Sequence, residues 1–282
     1  MAARIPNALT IAGVDPSGGA GVLADVKAFS ALGAYACAVV AALTAQNTQA
    51  VTGVLPVAPE FIARQIDTLF ADVRIDAVKI GMLGEAPVIA VVAERLAHWK
   101  APRIVLDPVM VAKSGDALLA KAAVGALREV LVPLADVITP NLPEAGVLLE
   151  ARPPEHVKEM TRAAERLHAL MGSGERWVWL KGGHLPGGDA TDLLFNGDRM
   201  IELAQPRIAT KNTHGTGCTL SAALAALLPQ RPDVPTAARH AKAWLTEALR
   251  HADELQVGQG HGPVHHFHAL WAHRANGAKT PI

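Results

Sequence analysis

Aromatic residues are scarce in this chain, at 4% of 282 residues, so a core of this size must be filled mainly by Ala, Val, Leu and Ile. Cysteine is nearly missing too. Cys37 and Cys218 do not make a disulfide framework, and a reducing cytosol is the simplest home. No sign of charge is in excess, with 26 Lys plus Arg against 26 Asp plus Glu. That argues against a nucleic-acid surface, which shows a clustered basic excess, but leaves room for discrete anion sites built from backbone amides and one or two lysines. The longest mostly apolar runs, such as "ACAVVAALTA", are too short to span a bilayer. The opening "MAARIPNALTIAGVDPSGG" turns polar and glycine-rich too soon for a signal peptide. With 50% hydrophobic and only 18% charged residues, disorder is excluded as well. The expectation is a soluble cytoplasmic protein with neither membrane nor nucleic-acid partner.

Short β-branched apolar runs alternate with longer helical patterns. Residues 8–13, 36–43, 76–83, 103–109, 136–141 and 176–183 read as strands. Residues 19–32, 59–71, 86–98, 116–131 and 155–171 read as helices. Near-continuous apolar strands separated by helices predict an α/β fold whose mostly parallel sheet is covered on both faces. Residues 191–195 and 199–204, around Asn196-Gly197-Asp198, predict a hairpin. Segments 215–228, 234–255 and 265–273 predict closing helices. No internal repeat is present. The chain reads as one domain over 5–272, with a frayed tail over 273–282.

In an open parallel sheet, ligands bind beyond the carboxyl ends of the strands. Polar and glycine residues follow nearly every predicted strand there: "GVDPSGGAG", "TAQNTQ", "GMLGE", "DPVMVAKSGD", "TPNLPEA" and "KGGH". The segment "NTHGTGC" carries Gly215, Thr216 and Gly217 into a helix that opens at Cys218. Free N–H groups and the positive helix end suit a transferring phosphoryl group, although an ordinary helix start has the same pattern. The helix field is expected to lower the Cys218 thiol pKa, preparing it as base or nucleophile. Cys37 reads as inert core. The glycine-rich "VDPSGGAGVLADVKAF" is neither a Walker A motif nor a dinucleotide fingerprint. Asp25 within it can orient ligand donors, though taken alone a surface-helix carboxylate is the simpler reading.

Gln46 can both donate to and accept from a heteroaromatic edge, or merely cap its loop. Asp107 can hold Mg²⁺ or its waters. Asn141 and Glu144 have a spacing that fits a capping box as well as a metal. Lys181, at a strand's carboxyl end, suits a phosphate. Segment 111–116 is a candidate flap over the substrate, or a plain solvated loop. His265, His266 and His268 lack zinc spacing and read as packing.

Together "ALTIAGVDPSGGAG", "ALTAQNT", "KIGMLG", "LDPVMVAKSGD", "TPNLPEA", "LKGGH", "THGTGCTLSAA" and "GHGPVHHFH" resemble, in order and over residues 7–271, the hydroxymethylpyrimidine/phosphomethylpyrimidine kinases of the ribokinase-like superfamily. The resemblance implies a three-layer αβα sandwich. It also implies ATP-dependent phosphorylation of 4-amino-5-hydroxymethyl-2-methylpyrimidine and then of its monophosphate, in thiamine biosynthesis, by a homodimer using Mg²⁺. Carried over by motif, Gly13, Ala20, Asp25, Gln46, Met82 and Val109 would form the pyrimidine pocket, with Gln46 reading the aminopyrimidine edge. Cys218 would be the candidate base and the amides of Gly215, Thr216, Gly217 and Cys218 the anion hole. Lys181 and Lys242 would serve ATP, with Asn141, Glu144 and Asp107 organising Mg²⁺. The wider superfamily places Asp where Cys218 stands, which leaves the identity of the base open. Pyridoxal kinase is the alternative within the same chemistry. A thiol hydrolase built on Cys218 and His214, and a non-catalytic ligand-binding protein, are the alternatives outside it.

Overall fold

The computed structural model describes residues 4–110 and 121–271. The candidate flap 111–116, the first residues of the predicted helix 116–131 and the predicted tail 273–282 lie outside the described residues.

Nine strands form one sheet in the order β3-β2-β1-β4-β5-β6-β7-β8-β9. They are β1 (Asn7–Val14), β2 (Tyr35–Gln46), β3 (Val51–Pro56), β4 (Ala77–Ile80), β5 (Ile104–Leu106), β6 (Val137–Ile138), β7 (Trp177–Leu180), β8 (Asp189–Phe195) and β9 (Met200–Pro206). From β2 across to β7 the strands are parallel. β3 pairs antiparallel with β2, β8 with β7, and β9 with β8. The helices are α1 (Gly21–Ala31), α2 (Pro59–Asp72), α3 (Ala86–His98), α4 (Lys121–Ala126), α5 (Val132–Leu134), α6 (Leu142–Leu148), α7 (Val157–His168), α8 (Thr216–Leu227), α9 (Val234–Arg250) and α10 (His268–Trp271). Among the described residues, no helix is long and apolar enough to cross a membrane.

Strand side chains alternate between two cores, as the pleat requires. Leu9, Ile11, Val178 and Leu180 pack on one face with α2, α3 and α7. Ala8, Trp177 and Trp179 pack on the other with α1, α8 and α9. The result is the expected three-layer arrangement of helices on both faces of the sheet. Helix α8 is buried from Thr219 through Leu227. Its small side chains let it lie close to the sheet, and the Ser221 hydroxyl is satisfied by the Gly217 and Cys218 carbonyls at 3.1 and 3.0 Å.

The structure adds to the predicted elements at the sheet edge and after β6. β3 is an edge strand whose residues are mostly exposed, so "VTGVLP" carries no apolar run. α6 is only seven residues long and was anticipated solely as a helix start. The hairpin is present and slightly longer than predicted, with Asn196 Oδ1 accepting from the Asp198 and Arg199 amides across its tip. The predicted 234–255 helix ends at Arg250, followed by a 3₁₀ turn over Ala252–Glu254, and only His268–Trp271 of 265–273 is helical.

Candidate active site

The carboxyl ends of the parallel strands open into a cleft of about 740 Å³. Gly13, Ala20, Gln46, Met82, Val109, Asp107, Asn141, Glu144, Lys181, Lys242, Gly215, Thr216, Gly217 and Cys218 all line it. Of the residues named from the sequence, Asp25 alone does not.

At one end β1, β2 and the segment after β4 supply a mostly apolar pocket with one polar fixture. Thr44 donates its hydroxyl to the Val14 carbonyl at 2.9 Å and lies 3.2 Å from Gln46 Oε1. Gln46 is thus oriented, and its amide nitrogen remains a donor for a ring edge. Met82 closes the pocket against Gly13, where a β-carbon would come within 2.6 Å of its terminal methyl.

The turn 213–217 enters the cleft's middle. Gly215 has φ 73, and a β-carbon there would sit 1.7 Å from the Gly19 carbonyl oxygen, so only glycine fits. The Thr216 hydroxyl donates to the Thr213 carbonyl at 2.6 Å and the Thr216 amide to the same carbonyl at 3.3 Å. The expected cradle is therefore narrower than four amides. Gly217 and Cys218, in the first turn of α8, are the positions where the helix itself provides no acceptor. Gly21, at the start of α1, lines the cleft together with Cys218.

The thiol corrects another expectation. Burial pushes Cys218 up to about 11; Lys79 and the Gly21 amide oppose this, and Asp107 and Asp25 add to it. Desolvation outweighs the helix field, so the resting group is a protonated thiol.

Beyond Cys218 lies a charge cluster. Lys181 Nζ meets Asp107 Oδ1 at 2.9 Å and stands 4.0 Å from Glu144 Oε2; the Thr139 hydroxyl also donates to Asp107 Oδ1, at 3.1 Å. Burial works against both charges of the central pair. Lys181 and Lys79 nevertheless hold Asp107 below the usual carboxylate range, and Asp107 and Glu144 hold Lys181 above the usual lysine value. Burial raises Glu144 to about 7, with Lys181 opposing and Asp107 adding to the shift. Asn141 and Glu144 form a complete capping box on α6. Asn141 Oδ1 accepts from the Glu144 amide and Glu144 Oε2 from the Asn141 amide, both at 2.8 Å. The Asn141 side-chain oxygen and one Glu144 carboxylate oxygen are thereby engaged in the cap. Among the described residues, no group of three or more His, Cys, Asp or Glu side chains could hold a metal by itself.

At the far end, Lys242 of α9 is ion-paired with Asp192 Oδ2 at 2.5 Å. Burial lowers its pKa, against the pull of Asp192. Asp192 also accepts from Trp179 Nε1 at 3.0 Å and from the Gly182 amide at 2.9 Å. Arg207 donates to the carbonyls of Gly183, Leu185 and Gly187, fixing the glycine-rich loop beside β7. Asp192 and Arg207 were not foreseen, because their partners are far away in sequence.

Asp25 is fully buried beneath the cleft. It binds Lys79 Nζ through both oxygens at 3.0 and 2.8 Å and accepts from the Thr10 hydroxyl at 2.6 Å. It is neither a ligand contact nor a surface carboxylate. His214, weighed as a thiol-hydrolase partner, binds Asp15 at 2.6 Å instead. His265 and His266 are buried, deeper than the surface or helix-start packing expected for them.

The family model described as phosphomethylpyrimidine kinase matches residues 15–265. The chain is 54% identical to the hydroxymethylpyrimidine/phosphomethylpyrimidine kinase of Escherichia coli, over 94% of this chain and 98% of that one. A crystal structure of phosphomethylpyrimidine kinase from Clostridium difficile is 38% identical, with TM-score 0.76, covering 87% of this chain and all of that one. An ADP complex of Bacillus subtilis pyridoxal kinase is 35% identical with TM-score 0.85, covering 94% and 98%. This chain belongs to the phosphomethylpyrimidine kinase family, on a ribokinase-like fold.

Proposed function

We propose that this kinase transfers the γ-phosphoryl group of ATP to 4-amino-5-hydroxymethyl-2-methylpyrimidine and then to its monophosphate, as its relatives' names state for them. The observation that carries the reading is one cleft with three consecutive parts. Gln46 stands in an apolar pocket, Cys218 and the α8 amino end occupy the middle, and the Lys181–Asp107–Glu144 cluster follows. An acceptor ring in the first part places its hydroxyl near the Cys218 thiol, and the migrating group meets the α8 amino end and Lys181. Phosphoryl transfer has a loose transition state, so such positioning and charge neutralisation do most of the catalysis.

The donor set fits Mg²⁺ of the usual nucleotide-bound kind, held by one or two carboxylates together with phosphates and water. Glu144 and Asp107 would hold it and Asn141 would act only through the cap. When bound, the ion would neutralise phosphate charge. The Arg207-fixed loop and the α9 residues Leu245, Thr246 and Leu249 would flank the nucleotide. Lys242 would act there by orienting Asp192. The proposed setting is the cytoplasm and the proposed assembly a homodimer, which light scattering tests directly.

Coupled ADP release should be measured with hydroxymethylpyrimidine, its phosphate and pyridoxal in parallel. The two pyrimidines are expected to exceed pyridoxal in kcat/KM. Pyridoxal exceeding both would overturn the substrate assignment in favour of vitamin B6 chemistry. Pyrimidine binding without ADP release would overturn catalysis.

A further inference from the structure

Two turns that are remote in sequence meet at the middle of the cleft. The acceptor turn, 15–20, follows β1 and contributes Ala20 to the pocket; the phosphate turn, 213–217, opens α8. Asp15 is the hub of the first. Its Oδ1 accepts from the Ser17 amide at 2.8 Å. Its Oδ2 accepts from the Ser17 hydroxyl at 2.9 Å and from the Ala20 amide at 3.0 Å, and it meets His214 Nε2 of the second turn at 2.6 Å. Both side chains are buried. The imidazole lies so close against Gly19 that a β-carbon there would stand 2.3 Å from His214 Cδ2. On its other side, the His214 amide donates to the Gly262 carbonyl at 3.0 Å.

We propose that Asp15 and His214 are a positioning pair that sets the register between the acceptor turn and the phosphate turn, and so fixes Cys218 against the acceptor oxygen. Two contacts join the turns within a few residues: the Asp15–His214 bond and the Gly215 approach to the Gly19 carbonyl. Only the first is a side-chain interaction strong enough to act as a latch. A hydrogen bond with a carboxylate in a buried site is about twice as strong as a neutral one. If it opens, the other contact is left to backbone packing, and the Cys218 sulfur shifts relative to the pocket. A misplacement of about 1 Å in such a site costs on the order of 100-fold in rate.

The inference rests on the kinase reading for its kinetic arm only. The test uses the full chain as His214→Ala, His214→Gln and Asp15→Asn, with wild type alongside. The register is read without turnover, from the rate at which iodoacetamide modifies Cys218 at pH 8. His214→Ala is expected to react at least about tenfold faster than wild type, as the sulfur loses its fixed place in the protein. In the ADP-release assay, its kcat is expected to fall by about 30- to 100-fold with the KM for ATP changed less than about threefold. His214→Gln, which can still donate to Asp15, is expected to recover about tenfold of that loss. A role confined to stability would lower the unfolding temperature without this split between kcat and KM, and without rescue. Should His214→Ala fail to fold, Asp15→Asn, which keeps the side chain's shape but not its charge, carries both measurements. Unchanged Cys218 reactivity, or kcat within threefold of wild type in a folded variant, overturns the proposal. An inactive wild type with the reactivity change present would overturn the kinase reading instead.

Discussion

At Cys218 two effects oppose each other. The first turn of α8 favours a thiolate, while burial and the nearby Asp107 and Asp25 disfavour it, and the balance lies at about 11. At pH 8 the thiolate fraction is then about 100-fold smaller than for a thiol of the ordinary pKa near 9. Alkylation of Cys218, followed by intact mass, should accordingly be slow at pH 8 and rise about tenfold per pH unit up to pH 10. Fast, pH-independent labelling between pH 7 and 9 would contradict the protonated resting state. A protonated sulfur is better suited to holding the acceptor hydroxyl than to removing its proton at the outset. Cys218→Ser, which keeps a hydrogen-bonding group, is therefore expected to retain kcat within about tenfold, whereas Cys218→Ala loses about 100-fold or more. Equal losses in both variants would return the base role to the sulfur. Lys181 differs in kind, because its removal takes away the cation proposed to meet the phosphates and leaves Asp107 buried beside a void. Lys181→Ala should chiefly raise the KM for ATP and also lower stability.

Between elements, the strongest electrostatic link under the site is Lys79 of β4 to Asp25 of α1, completed by Thr10 of β1. Both charged side chains have no exposed surface. Burial disfavours the Lys79 charge, but Asp25 outweighs burial and holds its pKa above the ordinary value. The alternation of the sheet explains the placement. Val78 and Ile80 belong to the core under α2 and α3, so Lys79 points to the opposite face, where α1 and α8 pack. Removing one partner leaves a buried charge unpaired, at a cost of about 3–5 kcal/mol. Lys79→Met should lower the urea midpoint by that equivalent, and Lys79→Met with Asp25→Leu should recover most of it. A double variant no more stable than the single one would show that the pair is more than a mutual neutralisation. Neither role was legible beforehand. Asp25 lies on a helix whose inner face a local pattern cannot assign to a partner, and Lys79 looked unremarkable in "DAVKIGML" because Asp25 is 54 positions away.

Across the whole molecule, legibility follows the range of the cause. Alternating apolar runs announced the parallel sheet, and the strand-end motifs assembled the cleft around Gln46, Cys218 and Lys181, because each depends on neighbouring residues. The Asp192–Lys242 tie, the Arg207 loop clasp and the Cys218 pKa depend on segments that only folding brings together. His266 belongs to the same class. It comes from the histidine-rich segment 260–268, yet it meets the Thr219 hydroxyl of α8 at 3.0 Å and joins that segment to the helix that follows the 213–217 turn. Burial lowers its pKa to about 3, with Lys27, His265 and His268 adding to the effect and the Val264 carbonyl opposing it. A folded-state value below the unfolded value of 6.5 means that the unfolded chain binds the extra proton between those limits. The stability carried by the neutral ring is complete above about pH 6.5 and declines as pH falls toward 3. At pH 5 the loss from this one residue is roughly 2 kcal/mol. Urea unfolding of the wild type should weaken between pH 7.5 and pH 5, and His266→Gln should be less stable at pH 7.5 but show a shallower decline. The same acid slope in both proteins would mean that the ring accepts a proton without leaving its place against α8.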